Sequence, residues 1–198
     1  MKYLNVVIVG LLCSALLVLP VGCSVSQAKI NTVVTDISTW TPVIAADATA
    51  LLTDIASFAP ADAATIQNAV TVINSDSTAL TALCKQYLAA PSPTLMTQIA
   101  ALIGTLATTD RDAMLAVLQV KNPQSQATAK GILTTIATAV TILSGYLQSV
   151  NVQPSASTTA ALEQLKLYVD RAPMERALAQ LKAQHVAPQY VTLAQLGY

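Results

Sequence analysis

Charge is what this chain has least of. Asp, Glu, Lys and Arg together make up 10% of its 198 residues, where typical soluble domains carry ~25%. No cluster of basic residues exists to displace counterions, so a nucleic-acid partner is not expected. There is one histidine, which excludes a histidine-based metal cluster by count, and six glycines, none arranged as a phosphate-binding loop. Aromatic residues make up only 4%. Three cysteines are present, and two of them, Cys13 and Cys23, fall in the N-terminal segment Met1–Cys23. Cys84 is then alone in the body of the chain, which can form no internal disulfide. What is abundant is apolar: 54% of residues are hydrophobic, too many for a disordered chain. With charge so scarce, the wetted surface must be built from Thr, Ser, Gln and Asn.

The body of the chain is punctuated by proline at a near-constant interval, at Pro60, Pro91, Pro123 and Pro154. Proline is tolerated in the first turn of a helix and disrupts its interior. Ser92-Pro93 and Asn122-Pro123 read as N-cap followed by first-turn proline. Between these marks the apolar residues recur in alternating steps of four and three. In the first segment (about 28–58) the line runs through Ile30, Val34, Ile37, Thr41, Ile44, Ala48, Leu51, Ile55 and Phe58. In the second (61–88) it runs through Ile66, Val70, Ile73, Ser77, Leu80, Cys84 and Tyr87. Leu95, Ile99, Leu102, Leu106, Ala113 and Val117 mark the third (93–121), and Ile132, Ile136, Val140, Leu143, Leu147 and Val150 the fourth (123–150). One such stripe per helix must be buried against other helices. Links of only ~3–5 residues make consecutive helices antiparallel neighbours. The fold class is therefore all-α: an up-down-up-down four-helix bundle of long helices over residues 29–151. Residues 152–198 form a C-terminal extension of the same domain, with shorter helices expected at about 156–171 and 173–186 packed on the bundle. Pro42 falls inside the first helix without a phase change in the stripe, which predicts a kink near Ser38–Pro42. The close alternative is a fresh helix capped by Thr41.

The segment Met1–Cys23 follows another rule. Lys2 supplies a positive charge, Val6 to Leu19 is apolar apart from Gly10 and Ser14, and the run closes on Leu19-Pro20-Val21-Gly22-Cys23. A charged start, an apolar core and a small-residue exit are the parts of an export signal. With Cys23 directly after Gly22, the segment resembles the signal of a bacterial lipoprotein, over about an eighth of the chain. That resemblance implies a signal peptide at 1–22, lipidation of Cys23 as the new N-terminus, and a short tether at 23–28. It also implies a membrane partner through the lipid, on the outer-membrane or periplasmic face given Ser24 after the cysteine. Ordinary secretion with cleavage after Ser26, or an uncleaved anchor, are the other readings of the same residues.

Candidate chemistry is thin. Asp36, Asp47 and Asp54 share a helical face with Lys29, but separations of ~16 and ~10 Å along the axis are too long for one cation. A solvated flank is expected. Asp110, Arg111 and Asp112 are consecutive, point in different directions, and read as an exposed charged patch. Cys84 lies on an apolar line, where a thiol is inert packing. His185 sits in a last helical turn. No catalytic, cofactor or metal site is therefore expected, and the chain is not read as an enzyme. Trp40 lies off the central stripe; packing against a capping helix is the first expectation, and contact with lipid or a protein partner is the alternative. Glu163 and Lys166 have the spacing of a helix-surface ion pair. Residues 24–112 hold seven acidic and three basic groups, and residues 113–198 three acidic and six basic. The basic C-terminal helices are thus expected to lie against the acidic early ones.

The expected role is that of an exported, lipid-anchored envelope protein with a structural or protein-interaction function, and an envelope protein as partner. The alternative is a membrane-active protein of pore or lysis type inserting residues 95–109 and 131–150, the latter uncharged throughout and long enough to span. Thr134, Thr138, Thr141 and Gln148, opposite the stripe of that stretch, argue for a water-facing side.

Overall fold

The computed structural model describes residues 25–58, 60–169 and 171–183. Cys13, Cys23, His185 and the C-terminal tail lie outside them. Among the described residues there are six α-helices and no strand. The four long ones are α1 (Gln27–Asp54), α2 (Pro60–Ala89), α3 (Pro93–Val117) and α4 (Pro123–Ser149). The two short ones are α5 (Ala156–Tyr168) and α6 (Arg171–Ala183).

The helix starts follow the capping chemistry of the sequence. Ser92 Oγ accepts from Leu95 N at 3.2 Å, and Asn122 Oδ1 accepts from both Gln124 N and Ser125 N at 3.0 Å. Each satisfies backbone donors that a first turn leaves open. The ends are set by tertiary needs. Helix α3 stops at Val117, short of the expected boundary at 121. There Gln126 Nε2 reaches back from α4 and donates to the carbonyls of Val117, Leu118 and Val120 at 3.4, 3.1 and 3.2 Å. At the end of α4, Asn151 takes a left-handed φ of 65° while Val152 N donates to Leu147 O. That closure needs a residue tolerant of positive φ, and asparagine is one. A short 3₁₀ turn, Ile55–Ser57, follows α1.

Helix α1 runs through Pro42 as a single helix, so the alternative of a fresh helix capped by Thr41 is set aside. The Thr41 hydroxyl donates instead to Ile37 O at 2.7 Å inside the core.

Packing follows the stripes. Helix α1 packs against α2 and α4, α2 against α3, α3 against α4 and α5, and α4 against α6. The lines read in α1 and α2 are buried from Val34 to Phe58 and from Ile66 to Tyr87. In α3 Ile99, Leu106, Ala113 and Val117 are buried as read, but at the other two places the neighbours Met96 and Ile103 are buried instead, with Leu95 and Leu102 only half-buried. Helix α4 is buried on more than one side, because α6 lies on it as well. That corrects the expectation for Thr134 and Thr138. Both are buried, donate to carbonyls of their own helix at 2.7 Å, and Thr138 also touches Met174 Sδ of α6. A hydroxyl whose proton is used by its own helix can be covered at little cost.

The placement of the C-terminal helices also differs from the charge argument. Helices α5 and α6 lie on α3 and α4, not on α1 and α2, where Asp36, Asp47 and Asp76 sit. Apolar fit decides: Ala161, Leu162, Leu165, Met174 and Leu178 are all buried. A few charges screened by water are weak against that area.

Candidate functional site

Trp40 is not a surface contact. It is 1% exposed, and its ring meets Tyr146 of α4 edge-on, with centroids 6.5 Å apart and planes at 80°. The flank on which the sequence placed it is the side of α1 that α4 covers. Burial of so large a ring, with an edge-to-face partner, makes Trp40 part of the α1–α4 interface.

The charged residues separate into three groups. Arg111 and Asp112 form an ion pair at 2.7 Å near the surface, and Glu163 with Lys166 forms another at 2.7 Å, as the spacing predicted. Asp36 and Asp47 are partly buried rather than fully solvated, and burial raises both carboxyls, that of Asp47 to about 6. Asp54 is exposed. Among the described residues no group of three or more His, Cys, Asp or Glu is placed to hold a metal ion. Cys84 is buried and free, and its thiol is pushed up to about 12 by burial, which keeps it protonated.

Asp110 breaks the expectation of a surface patch. It is 0% exposed, lies on the core side of α3, and neither of its carboxyl oxygens has a hydrogen-bond partner. Burial holds its carboxyl well above the ordinary range. A signal for this was present: Asp110 stands one turn after Leu106 and one turn before Ala113, on the apolar line itself. Charge identity concealed it, since acidic residues are rarely fully buried without a partner.

Several surface crevices are formed between elements, and two of them bear on ligand binding and on the end of the bundle. One, of about 540 Å³, lies between α3 and the start of α5 and is lined by Thr97, Gly104, Thr105, Thr108, Ser155 and Thr158 among others. Of its α3 threonines, Thr97, Thr105 and Thr108 spend their protons on their own helix, at Pro93 O, Ala101 O and Gly104 O. Little hydrogen-bonding power therefore converges on a ligand there. The other, of about 230 Å³, lies at the end of the bundle where α1 begins, between Ile30, Tyr87, Met96, Val150 and Val152. Gln27 Nε2 donates to Tyr87 Oη at 3.1 Å across its rim.

No protein-family model matches this chain, and neither a curated protein nor a solved structure matches it at a significant level.

Proposed function

We propose that this is an exported envelope protein, anchored by lipid at Cys23, whose helices form an up-down-up-down four-helix bundle with a structural or protein-interaction role. The observation that carries the reading is the complementary use of the helix faces. The apolar stripes are spent on one another, and the large apolar side chains left exposed among the described residues are few: Val72, Leu88, Leu115 and Leu167. The polar side is threonine, whose hydroxyls bond the helix that bears them at Thr32, Thr35, Thr39, Thr49 and Thr53. Such a surface offers neither a strong field nor a reactive group, which suits a spacer or a scaffold.

The position of α1 adds to this. With Ser26 as its N-cap, only Ser24, Val25 and Ser26 separate Cys23 from the helix. Such a link reaches at most ~14 Å. The lipid-bearing end of the bundle is then the end where α1 starts and α2 stops, tied by the Gln27–Tyr87 hydrogen bond. The exposed Lys29 and Lys85 lie near these two helix ends, and the first acidic residue of α1, Asp36, comes more than two turns in. That arrangement favours apposition to anionic headgroups by ~1 kcal/mol per lysine.

Cys23→Ala tests the anchor. The expected result is release of the protein from the membrane fraction, with the acyl mass gone from the intact protein. A variant that stays membrane-bound overturns lipid as the anchor. The membrane-active alternative draws on α4, whose 27 residues are long and apolar enough to span a bilayer by length and composition. However, 61% of its most apolar window is buried among the other helices. Carbonate extraction of Cys23→Ala separates the two: an inserted hairpin of 95–109 and 131–150 stays in the pellet and a water-soluble bundle leaves it.

A further inference from the structure

The core line of α3 carries one residue that polarity would exclude. Asp110 lies between Leu106 and Ala113, all three fully buried, and both of its carboxyl oxygens are without a partner. An ionised carboxylate so placed would need a counter-charge or several donors, whereas a neutral carboxyl forgoes only hydrogen bonds.

Among the described residues no charged neighbour supplies the compensation. On α3 itself Arg111 is engaged with Asp112, its Nε and Nη2 donating to Asp112 Oδ1 at 2.8 and 2.7 Å. The residues one turn away, Leu106, Ala107, Ala113 and Met114, are uncharged. Helix α2, packed against α3, presents Asp76, itself partly buried with one unpartnered oxygen, and carries Lys85 exposed near its far end. The charged residue of α4 is Lys130, and α5 carries Glu163 and Lys166, paired with each other at 2.7 Å. None of these reaches an oxygen of Asp110.

We propose that closure of the bundle binds one proton at Asp110, so that the packed molecule is favoured by acid and loss of that proton favours opening of α3 from its neighbours. The balance is simple. The packed state holds the carboxyl as O–H; on opening, the proton passes to water and the carboxylate is hydrated. Burial holds the carboxyl well above its ordinary range, in agreement with this.

The sign follows from linkage. The unfolded carboxyl releases its proton near pH ~4, and the packed one keeps it to a higher pH. Between these two values the folded state binds more protons, so each unit of rising pH lowers the folding constant about tenfold for this one group. Urea titrations of the full chain and of Asp110→Asn from pH 4 to 8 read the difference. Contributions from Asp36, Asp47 and Asp76 are common to both proteins and cancel. The expected result is a wild-type folding constant that falls relative to the variant's by about tenfold per pH unit above pH ~4, leaving the variant the more stable at neutral pH. Parallel profiles, or a variant that is weaker at pH 7, overturn the proposal. The native carboxyl carbon shift of Asp110 gives a second readout, independent of whether the variant folds. It is expected to stay at its protonated value well above pH ~4, and a titration near pH ~4 overturns the proposal.

Discussion

At Gly104 helix α3 has a close neighbour in α5. A Cβ built there would stand 2.5 Å from Oγ1 of Thr158, on α5. That hydroxyl is not free to move aside, since it is buried and shares a 2.8 Å hydrogen bond with Ser155 Oγ at the cap of α5. Gly104→Ala should therefore push α5 off α3, at a cost of about 1–3 kcal/mol. Urea denaturation measures it. The double variant Gly104→Ala, Thr158→Ala should recover part of the loss, because it removes the atom that clashes, and additive losses in that cycle would show that the contact is not the cause. Trp40 and Cys84 make the opposite point. Both could be imagined as functional from their rarity, and both are packing residues once their faces are covered.

At the level of the helix, α1 continues through a residue that ought to stop it. Pro42 brings no N–H to the carbonyl one turn before it, and the neighbouring Thr41 hydroxyl bonds Ile37 O rather than Ser38 O. The helix persists because its stripe is buried on both sides of the proline, from Val34 to Leu51. Pro42→Ala should stabilise the protein by about 1–2 kcal/mol, the gain of a ladder bond less the added freedom of the unfolded chain. A variant no more stable than the wild type would mean that Ser38 O is satisfied in another way. The same reasoning covers the threonines. Repeated hydroxyl bonds to the carbonyl one turn back do not strengthen a helix, so these rods depend on tertiary burial more than on propensity.

At the scale of the whole molecule, four of its acids share an unusual state. Asp36, Asp47, Asp76 and Asp110 are all raised, each by burial. A carboxyl whose folded value lies above its unfolded value of ~4 binds more protons in the folded state. Stability should therefore be greatest below pH ~4 and decline as pH rises, instead of peaking between ~5 and 8 as is common. For Asp47 the window is defined: its contribution is lost between pH ~4 and about 6, and is constant above that. Urea midpoints from pH 3.5 to 7.5 should slope downward, and Asp47→Asn should flatten the part below about 6. A profile that rises over this range would show that these carboxyls gain partners in the folded protein.

Periodicity determined much of this protein before any fold was known. Alternating steps of four and three state which side of a rod is apolar, and caps such as Ser92 and Asn122 state where the rod begins, because both are properties of residues close in the chain. The six helices and most of the core follow from that. The absence of histidine pairs and glycine loops bounded the candidate chemistry in the same way. What the sequence could not determine is which additional face of each rod would be covered. Thr138 lies beneath α6, and Trp40 lies beneath α4, for reasons of shape and area that arise between distant segments. Asp110 is the extreme case. Its place on the stripe was legible, but whether water would reach it was decided only when the surrounding helices closed, since solvation belongs to the assembled molecule and not to the residue.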